Sequence, residues 1–260
     1  MELKERADGR RINVHVRILY DNRSLSPGLI SGWGFSCLVG EGLLFDTGGS
    51  GRELLANMEV MGIDPMGIRT VVLSHAHGDH TGGLWTLLDA GVRPTVYVPR
   101  SFPARFRKRV RARTALVEVH KPMEILPGVH TTGEVGLRIV EQSLAVETGQ
   151  GLVVITGCAH PGVVTMVRSA QASAGDFGTR SRRPHLVLGG FHLGGTGTIN
   201  VERIVADFRR MGVRRVAPCH CTGERAMGVF AEEYGEGFIQ VGVGRVITVD
   251  SEGSEQGGGQ

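Results

Sequence analysis

The chain is short of aromatic residues, which make up 5% of its 260 positions, and it carries little surplus charge, formally +3. So small an excess gives no bulk attraction for nucleic acid or an anionic membrane face. Long apolar runs are missing too: no continuous hydrophobic stretch approaches the ~20 residues that span a bilayer. Met1-Glu2-Leu3-Lys4-Glu5-Arg6 leads into no apolar segment, so no secretory leader is expected and a cytoplasmic setting is the default. Cysteine is scarce, at four residues. Cys37 stands alone in a strand-like segment, whereas Cys158, Cys219 and Cys221 cluster with histidines. A disulfide scaffold scatters its cysteines among loops, so this clustering points to a metal or reactive site.

What the chain has in excess is glycine, 40 residues placed singly or in pairs at the ends of apolar runs, where turns are needed. A hydrophobic fraction of 41% is enough for a large core. One domain is expected over residues 1–250, with a basic insertion near 100–113 and a disordered tail at 251–260.

Residues 12–19 alternate Ile12, Val14, Val16 and Ile18 on one face, a strand period. Residues 35–39 and 43–45 flank Gly40-Glu41-Gly42 as two more strands, and Leu54, Leu55, Met58 and Met61 then mark a helix that Gly62 stops. Beyond this point an apolar strand, a polar motif and a helix recur. Strands at 70–73, 152–156, 186–188 and 215–217 lead into His75-Ala76-His77-Gly78-Asp79-His80, Cys158-Ala159-His160, Phe191-His192 and Cys219-His220-Cys221. Val201, Ile204, Val205, Phe208 and Met211 trace an amphipathic helix before the last of these. Strand-end loops of an α/β sheet converge on one crevice, so these distant motifs are expected to share a site.

Alternate residues of a tight loop point the same way. His75 and His77 are therefore expected to grip one metal while Asp79 and His80 reach a second. Imidazole and carboxylate ligands suit zinc, as one or two ions, with manganese or iron also compatible. A metal of this kind lowers the pKa of a water to about 7, making hydroxide available at neutral pH.

Residues 73–84, from Leu73-Ser74-His75 to Gly82-Gly83-Leu84, resemble the signature motif of the metallo-β-lactamase superfamily, and Leu44-Phe45-Asp46-Thr47-Gly48 resembles its upstream motif. The resemblance runs from about Gly34 to Gly223 and implies an α/β fold, a four-layer αββα sandwich with a dinuclear site at one edge. Within the superfamily the chain is similar to the dihydropterin-(ribofuranosyl)aminobenzene-phosphate synthase-like proteins. The resemblance further implies that His160 completes the first metal and that His220 is the last histidine ligand. One departure stands out. Where the family usually has a bridging Asp after Gly, this chain has Gly157-Cys158, so Cys158 is either a thiolate ligand or a buried neutral thiol.

His130, in a loop-like context, ranks below His160 as a ligand, and His15, His120 and His185 read as ordinary histidines. His192 is expected to serve catalysis by binding substrate or protonating a leaving group, with Asp79 orienting ligands or water. Cys219 and Cys221, alternating with His220, are expected to point away from the metal. Seven basic residues between Arg100 and Arg113 form either a solvated face or a field for an anionic substrate.

The expected activity is metal-dependent hydrolysis of an ester-like bond, phosphoester before lactam, in an anionic small molecule. An iron-dependent oxygenase or redox enzyme on the same fold, and an RNA-processing nuclease, are the alternatives. Diiron members of the family typically carry Glu where this chain has His77, and nucleic acid is disfavoured by the modest charge. The oligomeric state has no signature in the sequence.

Overall fold

The alternation at Val14, Val16 and Ile18 builds the first strand, β1 (Val14–Tyr20). The computed structural model describes residues 14–176 and 182–249; Ile12 and the tail expected at 251–260 lie outside them. After β1 come β2 (Ser36–Val39), β3 (Leu43–Phe45), β4 (Thr70–Val72), β5 (Thr95–Pro99) and β6 (Leu116–Val119). The next six strands are β7 (Met123–Leu126), β8 (Val129–Thr131), β9 (Leu144–Thr148), β10 (Gly151–Thr156), β11 (Pro184–Gly190) and β12 (Arg215–Cys219), and β13 (Val246–Val249) is the last.

Two mixed sheets result, ordered β13-β1-β2-β3-β4-β5-β6 and β12-β11-β10-β9-β8-β7. Strands β3 to β6 run parallel, as do β10 to β12. The four histidine-bearing strands are thus divided between two sheets, β4 in one and β10, β11 and β12 in the other, where the strand pattern alone suggested a single sheet.

Three buried clusters set the layers. Val16, Ile18, Phe45 and Val72 from one sheet meet Val153, Ile155, Leu186 and Leu188 from the other. On the outer face of the first sheet, Leu44, Val71 and Val96 are covered by helices α1 (Gly51–Val60), α3 (Leu84–Asp89) and α4 (Ala104–Arg111) with their neighbours, contributing Leu54, Met58, Leu84 and Val110, while the short α2 (Gly78–Thr81) carries Asp79 and His80. On the outer face of the second, Leu152, Val154 and Val187 pack against α5 (Val163–Asp176), α6 (Thr198–Met211) and α7 (Glu224–Tyr234) through Met166, Val205, Phe208 and Phe230. The architecture is a four-layer αββα sandwich. Strands buried on both faces cannot alternate with polar residues, which is why 152–155 and 186–188 are unbroken apolar runs.

Helix ends follow local chemistry. Ser50 caps α1 by accepting from Glu53 N, and α6 stops at Gly212 in the left-handed conformation. Among the described residues no helix is long and apolar enough to cross a membrane.

Phe45 is fully buried between the sheets, edge-on to Phe35 with ring centroids 6.5 Å apart. Phe45→Ala should destabilise the fold by about 3–5 kcal/mol. Urea unfolding should show this as a lower midpoint with an unchanged slope; a midpoint equal to the parent's would mean that the two sheets do not depend on this contact.

Candidate metal centre

Parallel strands deliver their C-terminal ends to the same edge. From the first sheet, β3 leads to Asp46 and β4 to Ser74, His75, His77, Asp79 and His80; from the second, β10 leads to Cys158, Ala159 and His160, β11 to His192, and β12 to His220 and Cys221. Four of these strand-end residues, Asp46, Ala159, His192 and His220, have positive φ values of 54°, 60°, 50° and 50°, and they are the non-glycine residues so placed among the described residues. Left-handed backbone outside glycine is strained and persists where the surroundings impose it.

A network of hydrogen bonds orients each ring. The fully buried Asp46 carboxylate accepts from Ser74 N at 2.7 Å, from Ser74 Oγ at 2.7 Å and from His80 Nδ1 at 2.7 Å. The Ser74 hydroxyl, its one hydrogen given to Asp46, accepts from His75 Nδ1 at 2.8 Å. Gly157 makes room for this triad: a Cβ there would stand 2.1 Å from Ser74 Oγ. Across the cleft, the buried Glu141 carboxylate accepts from Ala159 N at 2.8 Å, from His160 N at 3.1 Å and from His160 Nδ1. Asn22 donates to His220 O at 2.9 Å, which turns its Oδ1 toward His220 Nδ1 at 3.1 Å.

In His75, His80, His160 and His220 the Nδ1 hydrogen is therefore committed, and each Nε2 is left with its lone pair. Those lone pairs face inward. His80 Nε2 lies 3.2 Å from His220 Nε2 and 3.2 Å from Cys158 Sγ, and His75 Nε2 lies 3.1 Å from His77 Nδ1. Asp79 Oδ2 is 3.3 Å from His220 Nε2 and 3.7 Å from His80 Nε2. Lone pairs gathered this closely repel unless a cation lies among them. Of three donor groups with all atoms within 4.8 Å among the described residues, two lie among these rings: His75, Cys158 and His160, and His80, Cys158 and His220. The set of imidazole, thiol and carboxylate donors fits a divalent ion of the zinc type.

Electrostatics agree at His75 and act in the opposite sense at His80, where surrounding acids favour the protonated ring. Burial and the neighbouring His80, His77 and His160 hold His75 far below the ordinary histidine range, keeping it neutral. Burial lowers the His80 pKa as well, but the Asp46, Asp79 and Glu141 carboxylates outweigh it and raise it. For Asp79, burial is overcome by the hydrogen bond with His220 and by the His80 and His220 charges, so its carboxyl stays well below the usual range.

The structure brings His75, His77, Asp79, His80, Cys158, His160 and His220 to one cleft. His192 stands at its open rim, exposed, with its ring centroid 4.2 Å from that of His160. Two expectations change. Cys219 does point away, into the core between the sheets, but Cys221 turns inward and groups with Cys158 and His192, because residues 220–222 form a 3-10 turn in which strand alternation is lost. His130 lies in β8 rather than a loop, fully buried and bonded to Glu147 at 2.6 Å, apart from the cleft.

In the basic stretch, α4 starts at the site edge behind β5 and runs away from it. Four of the seven charges in the stretch have local partners: Arg107 and Arg111 pair with Glu118, Arg113 pairs with Asp89, and Arg109 lies 3.7 Å over the Trp85 ring. Sequence reasoning missed Glu141, Asp21 and Asn22, and it gave no role to Asp46, Ser74 or Trp33. Asp21 accepts from His220 N at 3.0 Å, and Trp33, 63% exposed, lies 4.9 Å from the His220 ring. The Leu44-to-Gly48 motif was the one signal that reached Asp46.

A family model described as the metallo-beta-lactamase superfamily matches residues 36–173, over half of the chain. A protein of Methanocaldococcus jannaschii named 7,8-dihydropterin-6-methyl-4-(beta-D-ribofuranosyl)-aminobenzene-5'-phosphate synthase is 28% identical over 250 residues, covering 79% of this chain and 83% of that one. Among solved structures, a metal-dependent hydrolase of the beta-lactamase superfamily is 31% identical, with a TM-score of 0.76 over 91% of this chain and 99% of that one. Human tRNase Z, short form, shares the fold at 15% identity and a TM-score of 0.56, over 90% of this chain and 98% of that one. The superfamily is one of enzymes, mostly metal-dependent hydrolases, and with its motifs, its four layers and its strand-end histidine cleft this chain belongs to the metallo-beta-lactamase superfamily.

Proposed function

We propose that the protein is a metal-dependent hydrolase acting on an ester-like bond, phosphoester before lactam, in an anionic small molecule. The observation that carries this reading is the set of histidines whose Nδ1 atoms are tied back while the opposite nitrogens face one another. His75, His77 and His160 would hold one ion and Asp79, His80 and His220 a second, with Cys158 Sγ in reach of either set; zinc fits these donors, and manganese or iron is compatible with them. Bound there, a dication supplies Lewis acidity and makes a nucleophile of water at neutral pH.

The chain's own residues do the rest. Asp46 and Glu141 keep the rings fixed, so no reorganisation is needed as the reaction proceeds. Asp79, carboxylate-ionised and 21% exposed, faces the cleft and can orient water. His192, exposed at the rim, is placed to give a proton to the departing oxygen. The name of the M. jannaschii relative ends in a 5'-phosphate synthase, which supports a phosphate-bearing substrate. It also favours a second reading, in which the same centre joins two molecules instead of cleaving one.

Reduced protein grown with zinc should retain metal and turn over chromogenic phosphomonoesters or phosphodiesters, losing activity with a chelator and regaining it with zinc. Protein that binds no metal on titration would refute the reading, whereas a full metal complement with no turnover of any ester would favour the synthase.

His192→Ala should lower kcat by about a hundredfold while metal content stays at the parent level. Normal turnover in that variant would leave His192 a packing role only.

A further inference from the structure

Cys221 has no place in the scheme above, yet its sulfur is held beside one that does. The donor atoms of Cys158, His192 and Cys221 all lie within 4.8 Å of one another. The Cys221 thiol donates to Cys158 O at 3.7 Å, which holds the two side chains side by side. Room for the Cys221 sulfur is made at Gly190, where an added Cβ would stand 2.7 Å from Sγ and 2.4 Å from Gly157 O. Access is graded. Cys158 is buried, Cys221 is half-buried, and the exposed His192 stands at the opening. Cys37 and Cys219, by contrast, are enclosed in the core between the sheets.

We propose that Cys158 and Cys221 are an oxidisable pair, and that its closure to a disulfide by a peroxide withdraws the Cys158 sulfur from the metal centre. The Cys221 sulfur, reached first, attacks one peroxide oxygen. The O–O bond breaks, Cys221 becomes a sulfenic acid, and the other oxygen leaves as water with the thiol proton. The Cys158 sulfur then attacks the Cys221 sulfur, forming the S–S bond and breaking S–O. That oxygen leaves as water if Cys158 enters as a thiol, or as hydroxide if it enters as a metal thiolate. In sum two sulfurs lose two electrons, and hydrogen peroxide gains them. A disulfide sulfur no longer carries the thiolate charge that binds a dication, and Cys158 belongs to both donor groups, so one covalent step loosens both. The metal half of this inference rests on Cys158 serving as a ligand.

The test treats reduced, metal-loaded protein with stoichiometric hydrogen peroxide and reads mass and metal, not turnover. The protein should lose the mass of two hydrogens and yield a linked Cys158–Cys221 peptide after alkylation without reduction. It should release metal in step with linkage, and recover it once dithiothreitol and zinc are supplied. Cys221→Ser, with Cys221→Ala as a second variant, should form no link and hold its metal under the same treatment. Oxidation that stops at Cys221 sulfenic or sulfinic acid in the parent protein would overturn the proposal, as would a linked peptide with metal content unchanged. Absence of metal from the untreated protein would instead count against the hydrolase reading, since the link can still be read by mass.

Discussion

A single buried carboxylate, Asp46, holds the signature loop in place. Its two oxygens take the backbone N–H of Ser74, the Ser74 hydroxyl and the His80 ring, all at 2.7 Å. A charge buried without partners would be costly, so burial itself demands that these three donors be present together. The demand stiffens residues 74–80 against β3 and passes through the Ser74 hydroxyl to His75. Glu141 does the same from the other sheet, taking two backbone N–H groups and the His160 ring. Gln142 then ties this support back to β4, donating from its side chain to Leu73 O at 2.8 Å and from its backbone to Ser74 O at 3.0 Å. The two halves of the cleft are thus fixed by acids that themselves stand behind it.

How far the sequence revealed this depends on the range of each interaction. Histidines crowded into residues 75–80 and apolar runs ending in polar motifs are local features, and they marked both the strands and their shared edge. Glu141 carried no such mark. It sits in an irregular loop where a charged residue is normally solvated, and its partners Ala159 and His160 lie 18 and 19 positions away. Asn22 and Asp21 serve His220 from 198 and 199 positions away, which no pattern in a single chain can express. The direction of Cys221 was misjudged for a different reason. Alternation holds along a strand, but β12 ends at Cys219 and the chain turns at once, with His220 at a φ of 50°. His130 was taken for a loop residue because Pro127-Gly128 and Gly133 flank it, though three residues suffice for the strand between them.

The fold and the chemistry are separable here. The sandwich explains why the strand ends meet, and a likeness such as that to tRNase Z at 15% identity reflects this frame alone. What individualises the protein is the occupant of each strand end, above all the thiol of Cys158, a softer donor than a carboxylate oxygen.

The left-handed residues at these strand ends set stability against use. At Asp46, His192 and His220 a glycine would relax the backbone, but only by deleting the side chain that the cleft is built from. At these three positions, therefore, backbone relief and retention of the cleft's polar side chains are opposed. Ala159 stands in the same conformation and contributes no donor atom from its side chain. It marks the one point in this ring where the two pressures do not oppose each other, and where a protein engineer could relieve strain without dismantling the chemistry.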